Sequence, residues 1–140
     1  MARVKIELPE RYIFSTEITL RITDMNYGNH LANDKVLSLV HEARVQFFRN
    51  LGISEMDIGD GISIIQSDAA IQYKSEGFYG DVIRVEIAVG EFSRVGFDIL
   101  YHLTKVADGA TLAIAKTGIV CFDYKQKKMV GVPESFKAKV

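Results

Sequence analysis

Residues 23–33 read TDMNYGNHLAN, and this stretch separates a strand-like segment from the longest periodic apolar segment of the chain. Asn26, Gly28 and Asn29 favour turns, because these residue types tolerate left-handed backbone or bond to their own main chain. The same stretch carries a carboxylate, a phenol and an imidazole. We therefore predict a tight strand-to-helix turn that also holds the reactive side chains.

The segment before the turn alternates between apolar and polar residues. Ile18, Leu20 and Ile22 lie on one side of this pattern, with charged residues and threonines between them. A period of two is typical of a half-buried strand. We therefore predict a strand that delivers Asp24 at its end.

The segment after the turn has the period of a helix. Apolar residues recur every three or four positions over about four turns, and Gly52 follows where a left-handed C-cap would end the helix. Asn33 or Asn29 is the predicted N-cap. Further apolar residues widen the stripe, so we expect the helix to be covered on more than one side. The stripe is Val36, Val40, Ala43, Phe47 and Leu51, widened by Leu37, Leu39 and Phe48.

Four strand-like segments follow, at residues 62–74, 81–92, 95–105 and 111–124, separated by short stretches suited to turns. Both faces become apolar near Ile64 and Ile65, which predicts a bulge or two-sided burial. One strand, one long helix and four further strands form an α+β pattern. We therefore predict an antiparallel sheet that wraps around one long central helix.

Composition limits the other possibilities. The 140 residues are 48% hydrophobic with a net charge of −1, which fits one domain over residues 1–140, with a lead-in arm at 1–14 and a frayed tail at 134–140. Balanced charge predicts no general attraction to nucleic acid or anionic membrane. The single cysteine, Cys121, lies in an apolar run and is interpreted as a small buried hydrophobe. No spacing of metal ligands is found, and we predict a cytoplasmic protein without a metal site.

Four short motifs over residues 15–133 together resemble the hotdog-fold acyl-CoA thioesterases of the hydroxybenzoyl-CoA thioesterase type. The first is the turn itself, and the second is HEARVQFFRNLG at residues 41–52. The third is Tyr79-Gly80-Asp81 before a strand, and the fourth is Ser93-Arg94 between two strands.

The resemblance implies a fold, an activity and an assembly. It implies a hotdog fold and hydrolysis of an acyl-CoA thioester, with no cofactor besides the CoA of the substrate. Asp24 would be the carboxylate that attacks the thioester or activates water, and amides at the helix N-terminus would polarise the carbonyl. The resemblance also implies a homodimer, or a dimer of dimers, whose sheets join edge to edge. Ser93 and Arg94 would then lie near the phosphates of CoA.

The residues themselves leave the roles within the turn open. Asp24 can instead close the turn as an Asx-type cap, and a shift of the alignment by two residues would put Asn26 at the reactive position. His30 is the second catalytic candidate, because an imidazole can polarise a carbonyl or bind a ligand. The candidate substrate-binding residues are Asn26, Tyr27, Gly28, Asn29, Asn33, Lys74, Ser93 and Arg94.

Two other functions remain open. A hotdog enoyl-CoA hydratase would use Asp24 and His30, although His30 comes one residue later than in that motif. A non-catalytic acyl-CoA binding module would hold the same ligand without turnover. Glu42, in the helix, is interpreted as a structural partner of Arg44 or of the sheet.

Overall fold

One long helix packs against an antiparallel sheet in the computed structural model, which describes residues 2–140. The path of the sheet is β1-β3-β4-β5-β2, and β6 pairs with β5. The α+β pattern predicted from sequence is confirmed, with all four later strands close to their predicted places. The strands are β1 (Phe14–Thr19), β2 (Ser63–Tyr73), β3 (Val82–Gly90), β4 (Gly96–Lys105), β5 (Thr111–Asp123) and β6 (Lys128–Met129), and the helices are α1 (Lys35–Asn50) and α2 (Glu134–Lys137).

The first strand ends earlier than its alternation predicts. β1 stops at Thr19, Leu20 is buried, and Ile22 is 68% exposed at the start of a 3-10 turn spanning Ile22–Asp24. The prediction that Ile22 shares the buried face is therefore wrong. The reason is that the 3-10 turn rotates the chain away from the sheet before Asp24 is reached.

The helix buries most of its predicted stripe. Val36, Val40, Ala43 and Phe47 are buried, and Gly52 has a φ of +76°, which confirms it as the left-handed residue after the helix. Leu37, however, is 43% exposed. The prediction of coverage on more than one side is thus wrong for the face of α1 that carries Leu37.

A bulge interrupts β2, as predicted, but slightly later than expected. The register against β5 shifts between Gln66 and Asp68. Ile64 is buried while Ile65 is 37% exposed, so the alternative of two-sided burial at that pair is wrong. The bulge, rather than burial on both faces, accounts for the change of phase.

The two ends of the chain pack on the body of the protein. Phe136 in α2 is fully buried, with its ring 4.7 Å from that of Phe97 and 6.2 Å from that of Phe48. A frayed tail is therefore the wrong description of residues 134–140. In the N-terminal arm, the Ile6 amide donates to Gln72 Oε1 at 3.2 Å. Within residues 2–140, no helix is long and apolar enough to cross a membrane.

Candidate functional site

Asp24 closes the 3-10 turn that links β1 to the rest of the site. Its Oδ2 accepts the Arg21 amide at 2.8 Å, and its Oδ1 lies 3.4 Å from Arg21 Nη2. The backbone carbonyl of Asp24 accepts the Ala32 amide at 3.0 Å. The Asp24 side chain is 2% exposed, whereas that of Arg21 is 72% exposed. The capping role that the sequence left open is therefore present, and Oδ1 is the less firmly held oxygen.

Asn26 organises the loop that follows. Its side-chain Oδ1 accepts the backbone amide of Gly28 at 2.8 Å and lies 3.4 Å from the backbone amide of His30. The backbone amide of Asn26 donates to the His30 carbonyl. Asn29 takes a φ of +68°, a left-handed conformation that asparagine tolerates better than most residues. Asn26 and Asn29 thus act as the turn residues that the sequence predicts.

His30 lies directly over this loop. A side chain added at Gly28 would place its Cβ 3.4 Å from His30 Nε2 and 3.2 Å from Asn26 Oδ1. Glycine therefore relieves a tight contact with Asn26 here and does not serve a positive φ. His30 keeps 37% of its side chain exposed, so a ligand can reach the ring.

The helix begins later than predicted, and neither Asn33 nor Asn29 is its N-cap. Asp34 precedes α1 in a helical conformation, and no side chain caps the first turn. The Asn33 carbonyl instead accepts the hydroxyl of Tyr73 at 3.0 Å, which ties the loop to the end of β2. Within residues 2–140, the amides of Asn33 and Asp34 donate to no protein acceptor. Two backbone donors are thus available at the start of the helix.

The remaining binding candidates do not all lie together. Tyr27 is fully exposed at the tip of the loop, and Lys74 follows Tyr73, so both lie on the same side of the molecule as Asp24. Ser93 and Arg94 lie in the β3–β4 hairpin, at the opposite end of β3 from the Asp24 turn. β3 has nine residues. At roughly 3.3 Å per residue, the two ends are about 25–30 Å apart, so one chain does not bring them together.

Glu42 lies on the exposed side of α1 and does not bond to Arg44. Its Oε2 accepts Gln46 Nε2 at 2.8 Å, and Gln46 Oε1 in turn accepts the hydroxyl of Thr16 in β1. The predicted link to the sheet is present through Gln46, whereas the predicted link to Arg44 is wrong. Glu42 and Arg21 also line a groove of about 320 Å³ between β1 and α1.

Arg44 belongs to a buried polar network that sequence reasoning missed. Arg44 Nε donates to Glu55 Oε1 at 2.9 Å, and its Nη1 donates to the Tyr101 hydroxyl at 3.1 Å. The Tyr101 hydroxyl also bonds with Thr117 Oγ1 at 2.8 Å, and His41 Nε2 lies 3.5 Å from Glu55 Oε1. The available signal was Tyr101 itself, because a tyrosine on the buried face of a strand needs a partner for its hydroxyl.

Three of the buried groups have pKa values above their ordinary values. Burial acts to lower the pKa of Arg44, but Tyr101 and Glu55 outweigh it, and the net shift is upward. Burial raises the pKa of Tyr101. Burial also raises the pKa of Cys121 to about 11. Cys121 is therefore a protonated thiol at neutral pH, which agrees with its interpretation as a small hydrophobe rather than a nucleophile.

The comparison with protein families identifies the family of this chain. A model of the thioesterase-like superfamily matches residues 20–140, which include the Asp24 turn, the helix and all later strands. The chain belongs to this superfamily. Membership confirms the resemblance stated from sequence and makes the protein a thioester hydrolase.

Individual relatives agree with this assignment. This thioesterase-like protein is 31% identical over 124 residues to a protein of Aquifex aeolicus named "Putative esterase", covering 88% of this chain and 92% of the other. A 1,4-dihydroxy-2-naphthoyl-CoA thioesterase from Synechocystis superposes with a TM-score of 0.82 at 21% identity, covering 90% and 93% of the two chains. A hypothetical protein from Staphylococcus aureus, in complex with CoA, superposes with a TM-score of 0.81 at 17% identity, covering 96% and 85%. The hotdog fold predicted from sequence is thereby confirmed.

Proposed function

We propose that this thioesterase-like protein hydrolyses an acyl-CoA thioester to a carboxylate and free CoA at the loop between β1 and α1. The observation that carries the proposal is the hydrogen bond from the Ala32 amide to the Asp24 carbonyl, which brings the Asp24 turn next to His30 and to the amides of Asn33 and Asp34, which donate to no acceptor within residues 2–140. Support for the CoA part of the substrate comes from the names of the Synechocystis enzyme and of the Staphylococcus aureus complex.

Hydrolysis of a thioester needs a nucleophile or base and donors for the oxyanion. The Asn33 and Asp34 amides are the proposed donors, because unpaired amides at a helix start carry partial positive charge. Asp24 is the proposed nucleophile or general base. Its Oδ2 accepts the Arg21 amide at 2.8 Å, whereas Oδ1 has only the longer contact of 3.4 Å with the exposed Arg21 guanidinium, so Oδ1 is the oxygen that we propose to react. The 3-10 turn would therefore survive the reaction.

Glu42 is the competing carboxylate. It is exposed on α1 and lines the groove that also contains Arg21. Its side chain is more exposed than that of Asp24, and its Oε2 accepts Gln46 Nε2. If Asp24 has only the structural role of closing the turn, the base has to be sought in Glu42 or His30.

The test measures thiol release from aliphatic and aromatic acyl-CoAs by the wild type, Asp24→Asn and Glu42→Gln. Asparagine retains an oxygen that accepts the Arg21 amide, so the turn and the fold should persist, which circular dichroism checks. Loss of the carboxylate is expected to lower kcat by roughly 10²- to 10⁴-fold. Glu42→Gln is the matched control and should remain within a small factor of the wild type.

Other outcomes point elsewhere. Unchanged turnover in Asp24→Asn, with loss in Glu42→Gln, would move the catalytic carboxylate to the helix. Water addition to an enoyl-CoA without thiol release would favour the hydratase alternative. Tight acyl-CoA binding without either reaction would favour the binding module.

We further propose that the working unit is a homodimer, or a dimer of dimers, joined through β2. β2 is 11 residues long and pairs with β5 on one side, leaving its other edge unpaired within residues 2–140. Long unpaired edges attract further strands, and Ile65 and Tyr73 are exposed on β2. A two-fold axis at this edge would reverse the strand direction of the second copy. The Ser93–Arg94 hairpin of that copy would then lie toward the end of the molecule that carries Asp24.

Sedimentation equilibrium at micromolar concentration tests this assembly. We expect a dimer or tetramer, and Ile65→Lys should shift the distribution toward monomer while circular dichroism stays unchanged. A monomeric wild type would contradict the proposal, because the site would then lack Ser93 and Arg94. Arg84→Glu, on the β1 side of the sheet, is the control for a general effect of surface charge.

A further inference from the structure

Two loops are joined beside the proposed site by a backbone hydrogen bond. The Leu31 amide donates to the Gly77 carbonyl at 2.7 Å, which fixes the residues directly before them, His30 and Glu76, next to each other. His30 Nε2 lies 4.0 Å from Glu76 Oε1. Within residues 2–140, Glu76 is the charged group that comes this close to the His30 ring.

Gly77 makes this approach possible. A Cβ at Gly77 would lie 2.9 Å from the side chain of Leu20, 3.2 Å from that of Leu112 and 3.3 Å from that of Leu31. A side chain at Gly77 would therefore press on three leucine side chains, so glycine is the residue that fits this close approach. The close packing of Gly77 against these leucines thus allows the loop that carries Glu76 to lie against the loop that carries His30.

The ring of His30 has a defined orientation between the loops. Its Nε2 and Cδ2 atoms face Gly28, at 3.4 Å and 3.8 Å from the position of an added Cβ. Nδ1 lies across the ring from that edge, on the side away from Gly28. Of the two neutral tautomers of the ring, the one with its proton on Nε2 is the one that a carboxylate on the Nε2 side favours, and this tautomer has its lone pair on Nδ1.

From this geometry we propose that Glu76 is a positioning residue that holds His30 as the general base for the hydrolytic half of the reaction. The proposal rests on the proposed function and takes its nucleophilic form. Asp24 first attacks the acyl carbon, the carbon–sulfur bond breaks, and CoA leaves as a thiolate that is protonated from solvent. The product of this half is an acyl–Asp24 anhydride.

Water completes the reaction. Its oxygen bonds to the acyl carbon while one of its protons passes to Nδ1 of His30. The bond between the acyl carbon and the Asp24 oxygen then breaks, which restores the carboxylate and releases the acyl group as an acid. His30 returns the proton to solvent, so atoms and charge balance over the cycle. Glu76 forms no bond to the substrate and acts only through the orientation of His30.

Stopped-flow measurement of thiol release separates the two halves. In His30→Gln and Glu76→Ala the first half is intact, so a burst of one CoA per site should precede a slow steady state. The steady-state kcat is expected to fall by about 10²-fold for His30→Gln and on the order of tenfold for Glu76→Ala. Glu134→Ala removes an exposed carboxylate on α2 and is the matched control, with no burst and unchanged kcat.

A double variant tests whether Glu76 acts through His30. Adding Glu76→Ala to His30→Gln should change kcat by less than about twofold, because the group that Glu76 positions is already absent. A tenfold loss in both backgrounds, a loss without a burst, or no loss in Glu76→Ala would each overturn the inference. An absence of thiol release in the wild type would instead overturn the proposed function, so the two failures are distinguishable.

Discussion

Two polar regions, one that contains Arg44 of α1 and one in the loop before α1, differ in how completely their groups are bonded. In the Arg44 network, made of Glu55, Arg44, Tyr101 and Thr117, the charged and hydroxyl groups bond to one another below the surface. In the loop at residues 26–33, backbone amides remain free and His30 keeps an exposed ring. The first region joins the helix to the sheet and to the segment between α1 and β2, which carries Glu55, whereas the second faces solvent.

The difference separates groups that hold the fold from groups that are available to a substrate. A buried charge is tolerated only when its partners are present, so its bonds are already in use. A catalytic group needs unused donors or lone pairs that a substrate can reach. If burial and charge were the only criteria, Arg44 would be identified as the site. The loop is identified instead because its backbone amides and the His30 ring still have hydrogen-bonding groups that a substrate can use.

Removing Arg44 should produce the largest effect on stability. Arg44→Met leaves Glu55 without its guanidinium, although Glu55 is 29% exposed and Tyr101 retains Thr117. We expect a loss of about 3 kcal/mol of unfolding free energy, at the lower end of the range for breaking a buried pair. Urea denaturation measures it.

Arg84→Met is the matched control for that change. It breaks the exposed Arg84–Glu17 ion pair, whose atoms lie 3.0 Å apart, and should cost no more than roughly 1 kcal/mol. Equal losses for the two variants would remove the distinction between the Arg44 network and ordinary surface pairs.

The substitution Gly28→Ala should have the opposite effect to Arg44→Met, because it should lower the activity and leave the unfolding free energy almost unchanged. The new Cβ would lie 3.2 Å from Asn26 Oδ1, so the Asn26 side chain must shift by a few tenths of an ångström, and 3.4 Å from His30 Nε2, directly against the ring. Since a misplacement of about 1 Å costs about 10²-fold, we expect on the order of a tenfold loss in kcat/KM. The unfolding free energy should change by less than about 1 kcal/mol.

Gly90→Ala provides the comparison for Gly28→Ala. A Cβ at Gly90 meets nothing within 4 Å, and the backbone φ there is not positive. Its activity should match that of the wild type. A loss of stability in Gly28→Ala as large as that in Arg44→Met would show that the loop also holds the fold.

Much of the architecture was predictable because it depends on local periodicity. Val36, Val40, Ala43 and Phe47 are buried as the helical stripe predicts, and the four later strands follow their turn residues. The errors lie where a tertiary contact competes with a local signal. Asn33 is a favourable N-cap in isolation, but its carbonyl is held by Tyr73 from β2, and the helix begins at Lys35.

The candidate site was predictable in position but not in its partners. Asp24, Asn26 and His30 are adjacent in sequence, so their shared location follows from the turn. Glu76 is 46 residues from His30, and the bond between Leu31 and Gly77 brings it there. No spacing rule connects residues across such a distance.

The amino-acid sequence by itself determined the α+β pattern, the turn that carries the polar cluster and the resemblance to a thioesterase family. These follow from periodicity and turn chemistry, which act over a few residues. Tertiary structure alone decided that Arg44 is paired inside the protein and that Glu76 stands beside His30. Each of these depends on how separate elements pack, and packing is set by steric fit and by the bonding of buried polar groups over the whole chain.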